Sequence, residues 1–116
     1  MESSSHPPLL PHHQLRAYAT ALEFLRAVRA AGLRDRELRN QALRAAKSVC
    51  LNLAEGAGRV TRADKARAYT VARGELVEAI AAVEIAQESG DARQEAVSRV
   101  LLIGRPLYAV LSKLVR

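Results

Sequence analysis

Four polar residues recur in one stretch of the sequence at spacings that place them on the same side of a helix. They are Gln41, Ser48, Asn52 and Glu55, which fall within about 60° of one another on a helical wheel. A glutamate beside an amide and a hydroxyl could act as a general base or hold a ligand. Catalysis would also need a nucleophile, a metal or a second titratable group, and this stretch supplies none. The four residues are therefore predicted to be structural, and the chain is not expected to be an enzyme.

This polar stripe ends at a sharp turn between two predicted helices. Gly56 and Gly58 follow it, and a helix-starting Thr-x-x-Asp pattern comes three residues later. A joint this short forces two helices to fold back on each other. Asn52 and Glu55 are predicted to brace this corner by accepting backbone amides, or Glu55 by pairing with Arg59. A contact with a ligand or with nucleic acid is the alternative for the same residues.

Basic residues concentrate in the front half of the chain. The net charge is +6, but residues 16–73 hold 13 Lys or Arg against 5 Asp or Glu, whereas residues 74–116 hold 5 against 6. A basic surface attracts polyanions because phosphate binding releases counterions. The turn is expected to bring two groups of cations, in residues 34–47 and 59–73, close together. The residues expected to contact nucleic acid are Arg36, Arg39, Arg44, Lys47, Arg59, Arg62, Lys65 and Arg67. The alternative is a solvated surface without a partner.

Apolar residues repeat at helical spacing in four segments, with almost no strand pattern. The periodicity predicts helices over about residues 12–31, 35–55, 61–89 and 91–114. Asp35 is expected to cap the second helix, and Asp91 to open the fourth as part of a capping box. Pro106 should bend the fourth helix without breaking it. The prediction is an all-α, antiparallel up-down-up-down four-helix bundle in residues 12–116, after a disordered tail in residues 1–11.

Two of these helices carry more apolar surface than a single small bundle needs. In the second helix, an apolar arc from Leu38 to Leu53 covers close to half the circumference. In the fourth, Leu102, Ile103 and Val110 fall outside the main stripe. A helix of a monomeric bundle needs a stripe only about 100° wide. A homo-oligomer is therefore predicted, and the alternative is that both helices are central to a small core.

Composition excludes several classes of protein. A single cysteine, Cys50, excludes a disulfide within the chain and fits a reducing cytoplasm. No apolar run approaches the ~18 residues that would cross a membrane. The three histidines all lie in the first 13 residues without a cysteine or a carboxylate cluster, so neither a metal site nor a cofactor is expected.

The stretch Leu38–Arg59 resembles the signature of a bacterial family of four-helix-bundle proteins. It reads L-x-x-Q-x-x-R-A-A-x-S-V-x-x-N-L-A-E-G-x-G-R, and the similarity extends through A-x-G-x-x-x-E at residues 72–78 and I-G-R at residues 103–105. The family is also called the 23S rRNA-intervening sequence protein family, because some members are encoded in insertions within the rRNA gene. The resemblance implies an antiparallel four-helix bundle that assembles into a ring such as a pentamer, with no established catalytic activity.

A related branch comprises the accessory variability determinants of diversity-generating retroelements. Those proteins are similar basic pentameric bundles that partner a reverse transcriptase and bind nucleic acid. The resemblance thus implies self-association together with RNA or DNA as a partner. Two functions follow. The first is a scaffold that binds nucleic acid through phosphates. The alternative is a protein-interaction ring that meets an acidic protein, such as a reverse transcriptase, and has no nucleic-acid role of its own.

Overall fold

Four α-helices make up most of the chain described by the computed structural model, which covers residues 9–116. They are α1 (Arg16–Ala30), α2 (Arg36–Gly58), α3 (Arg62–Glu88) and α4 (Gln94–Leu114), and a short 3-10 helix, Pro11–Gln14, precedes α1. Residues 9–116 contain no strand, so the prediction of an all-α four-helix protein is confirmed. Of the predicted tail, residues 1–8 lie outside the described residues.

The starts of α2 and α3 coincide with the capping side chains in the sequence. The Asp35 carboxylate accepts the amide of Leu38 at 2.8 Å, and the Thr61 hydroxyl accepts the amide of Asp64 at 3.1 Å. The first amides of a helix have no carbonyl partner within it, and these side chains supply one. The predicted starts of the second and third helices are therefore confirmed.

The first helix begins later than the apolar periodicity predicts. The backbone at Leu15 is extended, with φ −96° and ψ 113°, and this residue separates the 3-10 turn from α1. The predicted continuous helix from about His12 is therefore wrong. Periodicity places side chains on a face, but it does not reveal one extended residue within the segment.

The predicted capping box at Asp91 does not form. The amide of Asp91 instead donates to the carbonyl of Ala86 at 2.7 Å, and its carbonyl accepts the amide of Arg34 at 3.1 Å. These bonds close the joint between α3 and α4, and α4 begins at Gln94 without a side-chain cap. From there the helix continues unbroken past Pro106.

α2 and α3 share the most extensive contact between any two helices of the described chain. Near the end of α2, Gly56 lies against Tyr69 of α3. Arg44, nearer the start of α2, forms an ion pair with Glu78, farther along α3. The two helices therefore fold back on each other, as the short joint predicts.

The core takes a large buried side chain from each helix. Phe24, Leu53, Leu76 and Leu107 are all at most 1% exposed. Much of the remaining core is alanine, which allows helices to approach closely. Most of the apolar arc of α2 is buried within the single chain, at the following positions: Ala42, Ala45, Ala46, Val49, Cys50 and Leu53. Leu38 and Leu43, the other two residues of the arc, are partly buried and pack against the same core. The width of that arc therefore reflects a central helix and does not indicate a subunit interface.

α4 keeps part of its excess apolar surface exposed. Leu102 is 73% exposed and Val110 is 42% exposed, in agreement with their predicted positions outside the main stripe. None of the helices in residues 9–116 has the length and apolar character needed to cross a membrane.

Candidate functional site

The corner is the joint between α2 and α3, residues 59–61, and a lysine side chain closes it. Lys65 Nζ donates to the carbonyls of Gly56 and Ala57, at 3.2 and 2.9 Å. The last carbonyls of a helix have no amide partner within it, and a cation there also interacts favourably with the helix dipole. Lys65, expected from the sequence to contact nucleic acid, therefore has a structural role as well.

Gly56 and Gly58 have different roles, and α2 continues through both of them. A Cβ atom at position 56 would lie 2.5 Å from Cε1 of Tyr69, whose side chain is buried. A Cβ atom at position 58 would meet no atom within 4 Å. Gly56 thus allows α2 to lie directly on the Tyr69 ring. The two glycines are part of α2, which ends at Gly58. The predicted end of the second helix at residue 55 is therefore wrong.

The polar stripe does not brace the corner through backbone amides. Asn52 Nδ2 donates to the carbonyl and hydroxyl oxygens of Ser48, at 2.9 and 3.0 Å. Arg59 donates to the Glu55 carboxylate at 2.6 Å, which is the ion pair predicted as the second possibility. Gln41 is exposed and lies about 25 Å from the end of α2, too far away to brace it. The free backbone groups in the last turn of α2 are carbonyls. They need a donor such as Lys65, so the predicted role of Asn52 and Glu55 as acceptors of amides has no partner there.

The two predicted groups of cations are not brought together by the turn. Arg36 is the first residue of α2 and Arg59 follows its last, so about 35 Å of helix separates them. Arg34 donates to the carbonyl of Gly90 at 2.9 Å, at the joint between α3 and α4. The prediction that the turn brings the two groups together is therefore wrong for their outer members, because residues at opposite ends of a long helix stay apart whatever turn follows.

Three of the eight predicted cations are neutralised by carboxylates. Arg44 pairs with Glu78 and lies 3.6 Å from Glu75, and Arg67 donates to Asp64 at 2.9 Å. The hydrogen bond and the charge of Glu78 raise the pKa of Arg44 above its ordinary value. The third is Arg59, whose pKa the Glu55 carboxylate raises in the same way.

The other predicted cations keep their charge. Arg39 donates to the carbonyl of Leu33 at 3.3 Å, and a carbonyl does not cancel a positive charge. Arg62 donates to the main-chain oxygen of Arg116 at 3.4 Å and forms no ion pair with a side chain of residues 9–116. Arg36 and Lys47 are exposed and form no ion pair with any residue in the range 9–116. Lys47 lies in mid-helix, away from both ends of α2.

Arg16, Lys113 and Arg116 were not among the predicted cations, and they join the corner from the start of α1 and the end of the chain after α3. Arg16 follows Leu15, which lines a groove together with Lys65. Arg62 donates to the main-chain oxygen of Arg116, so the end of α4 lies at the corner too. We call these cations the corner surface: Arg16, Arg59, Arg62, Lys65, Arg67, Lys113 and Arg116. The three additional cations all lie at or next to helix ends. Once the helices are folded back on one another, the helix ends that lie together identify these cations as neighbours.

Few carboxylates lie among the cations of the corner surface. Among the joints and the seven nearest residues of each helix in the range 9–116, the side-chain carboxylates at the corner end are those of Glu55 and Asp64. The opposite end also has seven cations, which are Arg26, Arg29, Arg34, Arg36, Arg39, Arg93 and Arg99. It has six carboxylates, which are Asp35, Glu37, Glu84, Glu88, Asp91 and Glu95. The excess positive charge therefore lies at the corner end.

Residues 13–111 match the family described as 23S rRNA-intervening sequence protein. No curated protein gives a significant match to the chain. The matched residues run from the 3-10 helix almost to the end of α4 and include the polar stripe and the corner. With this span and its four helices, the chain belongs to the 23S rRNA-intervening sequence protein family.

Proposed function

We propose that this protein is a non-enzymatic, homo-oligomeric four-helix bundle that binds RNA or DNA through phosphates at the corner surface. The observation that supports this most is the charge imbalance at that end, where seven cations face two carboxylates. Phosphate groups bound there would release counterions, which makes such binding favourable at low salt. Arginine adds a planar guanidinium that can bond two phosphate oxygens at once.

The aromatic side chains favour binding that does not depend on base sequence. Proteins that read single strands stack bases on exposed aromatic rings. Phe24 and Tyr69 are buried, and Tyr18 is half-buried. Tyr108 accepts a hydrogen bond from Arg73 at 2.6 Å, and the Arg73 guanidinium lies 4.7 Å from its ring centre. Contacts with the sugar-phosphate backbone are therefore the mode that these residues support.

The experiment measures binding of fluorescent RNA and DNA at several salt concentrations. We expect association at about 50 mM salt and a linear fall of log affinity with log salt concentration. Arg62→Glu should weaken binding and reduce the salt slope by about one unit or more. Arg36→Glu is the matched control, because Arg36 is likewise the first residue of a helix, but at the opposite end.

Three outcomes would contradict the proposed binding or its assignment to the corner surface. If neither nucleic acid binds at about 50 mM salt, the protein does not act through phosphates. If the control weakens binding as much as Arg62→Glu, the corner surface is not the site. If nucleic acid fails to bind and an acidic protein such as a reverse transcriptase is retained after nuclease treatment, the alternative of a protein-interaction ring is correct.

We further propose that the helices alternate in an antiparallel up-down-up-down bundle and that copies assemble into a ring such as a pentamer. The contact of Arg62 with Arg116 supports the alternation, as does that of Arg34 with Gly90. Exposed apolar side chains such as Leu102 support assembly, because large exposed apolar patches are uncommon on monomers. The native mass, measured with and without nuclease, tests this. A mass of 12.6 kDa at every protein concentration would contradict assembly.

A further inference from the structure

The outer face of α3 carries apolar residues that have no covering element in the described chain. Val77 and Ile85 are 50% and 52% exposed, and Ala81 lies between them, one helical turn from each. Gly74 continues the same line, and a Cβ atom there would meet nothing within 4 Å. We call Gly74, Val77, Ala81 and Ile85 the α3 strip.

Nothing in residues 9–116 requires a glycine at position 74. A glycine in the middle of a helix weakens that helix relative to alanine. At position 56 the Tyr69 ring explains the glycine, whereas at position 74 the space is open. Close approach of a helix from outside the chain would account for it, because a missing side chain lets two backbones come together.

The α3 strip borders a groove of about 350 Å³ between α3 and α4. Its lining is mainly apolar and includes Val77, Ile80 and Ala81 of α3 and Leu101 and Tyr108 of α4. Glu84 of α3 and Arg105 of α4 complete the lining, so the strip and the groove form one continuous surface that is mainly apolar.

A second exposed apolar strip lies on the outer face of α4. Leu102 and Val110 are 73% and 42% exposed, and Pro106 and Ala109 are exposed between them. We call these four residues the α4 strip. The two strips are therefore separate surfaces on adjacent helices of the same chain.

The charges around the two strips have opposite signs. From Gly74 to Glu88, α3 contains four glutamates and no lysine or arginine. Glu75 and Glu78 already lie against Arg44 of α2, whereas Glu84 and Glu88 form no ion pair within residues 9–116. From residue 96 to its end, α4 contains Arg99, Arg105 and Lys113 and no carboxylate. Two α3 strips or two α4 strips placed together would oppose like charges, whereas an α3 strip facing an α4 strip would pair opposite charges.

We propose that the α3 strip of one copy packs against the α4 strip of a second copy of this chain. The proposal rests on the proposed homo-oligomer and names the surfaces that build it. Val77, Ile85, Leu102 and Val110 would supply the buried apolar area, and Gly74 and Ala81 would allow the helices to approach. Glu84 and Glu88 of α3 and the cations of α4 would flank the contact and set which surfaces meet.

Cross-linking between two single-cysteine variants tests the pairing directly. Val77→Cys and Leu102→Cys are prepared separately, and a short bismaleimide is added to each alone and to their mixture. We expect cross-linked dimers mainly in the mixture, because each variant alone offers a new thiol on only one of the two facing strips. The native Cys50 thiol should react slowly, since it is 7% exposed and burial raises its pKa to about 11.

A matched cysteine on another helix provides the control. Ala19 is exposed on α1, outside both strips, so Ala19→Cys mixed with Val77→Cys should not cross-link. If the native mass is that of an oligomer but the Val77 and Leu102 variants do not cross-link, the surfaces named here are wrong and assembly itself still holds. If the protein is monomeric at all concentrations, both proposals fail.

A charge placed in the contact gives a second, independent measurement. Leu102→Asp should shift the native mass to that of a single chain at concentrations where the parent assembles. Val60→Asp is the control, because Val60 is even more exposed, at 92%, but lies in the corner and outside both strips. Both variants should keep the helical content of the parent. Equal loss of assembly in the two, or none in either, would overturn the proposal.

Discussion

The two ends of the bundle contain the same number of cations but differ in the carboxylates that surround them. At the corner end seven cations face two carboxylates, and at the opposite end seven face six. The potential at a surface depends on the sum of its charges, so opposing carboxylates cancel most of the field at the second end. The comparison shows that the number of carboxylates, not of cations, distinguishes the end suited to a polyanion.

The two ends also turn the chain by different means. Gly32 and Gly90 lie at the opposite end with φ of 58° and 80°, in the left-handed region that glycine adopts without strain. At the corner, Arg59 and Thr61 are extended, with ψ of 154° and 152°. The corner therefore depends on side-chain contacts, and substitutions there should have larger effects.

The largest effect is expected where α2 lies on the Tyr69 ring. Gly56→Ala should lower the free energy of unfolding by about 1–3 kcal/mol, because the added methyl group overlaps a buried ring. Gly58→Ala should leave it unchanged or raise it by up to ~1 kcal/mol, since the space is open and alanine favours the helix. Urea unfolding measures both. Equal effects of the two substitutions would show that the close approach at Gly56 does not matter.

Alkaline pH should also act on the half of the bundle next to the corner. Among the buried core residues in the range 9–116, Cys50 and Tyr69 are the ones that titrate, and both lie in that half. Burial raises the pKa of Cys50 from 9.0 to about 11 and also raises that of Tyr69. The unfolded thiol therefore ionises first. The stability that the neutral thiol contributes is complete below pH 9 and is lost as the pH rises toward 11.

Unfolding in urea at pH 8, 9, 10 and 11 measures this loss. The slope from the thiol should be at most ~1.4 kcal/mol per pH unit between pH 9 and 11. Cys50→Ala should remove the decline that begins near pH 9 and keep the later decline due to Tyr69. An unchanged profile in this variant would mean that the thiol does not ionise differently in the folded and unfolded states.

The lysine that closes the corner should contribute more to stability than an arginine bonded to a carbonyl at the opposite end. Lys65→Met removes two hydrogen bonds to the last turn of α2 and should cost about 1–2 kcal/mol. Arg34→Met removes one exposed hydrogen bond to Gly90, which water can replace, and should cost less. Thermal unfolding compares them. A larger loss of stability in Arg34→Met than in Lys65→Met would contradict the expectation that the corner depends more on side-chain contacts than the opposite end does.

The smallest expected effect is a gain in affinity for nucleic acid, whereas the preceding substitutions mainly reduce stability. Glu55→Gln removes the carboxylate that pairs with Arg59 and so frees a cation of the corner surface. Affinity for RNA or DNA should rise a few-fold at low salt, with a steeper salt dependence. Glu37→Gln at the opposite end makes the same chemical change and should leave affinity unchanged. Fluorescence anisotropy measures the affinity of both variants. A rise for Glu37→Gln alone would place the binding surface at the end opposite the corner and contradict the proposal.

The helix starts show which features local sequence could predict. Asp35 and Thr61 cap amides three residues ahead of them, so the deciding contact lies within a few positions of sequence. Asp91 has an equally good local pattern, but its carbonyl accepts the amide of Arg34, which is distant in sequence. A capping pattern predicts a helix start only when no contact from elsewhere in the fold uses the same residue.

The candidate site shows the same division. The Glu55–Arg59 pair joins residues one turn apart and was predictable from spacing. The bonds from Lys65 to Gly56 and Ala57 cross between two helices, whereas the sequence pattern indicated only a contact with nucleic acid for that lysine. Lys65 can donate to the last carbonyls of α2 only because the fold places α3 beside that end of α2.

Four helices, the faces that they bury, the family signature and the excess of positive charge could all be predicted from the sequence alone. These properties depend on periodicity and on contacts between near neighbours, which any chain of this sequence would carry. The folded arrangement of the helices decided where that charge lies, because the corner surface draws cations from the ends of several helices. It also decided which cations carboxylates neutralise, since the Arg44 pair joins α2 to α3. A surface potential is a sum over space, and positions in space come from the fold.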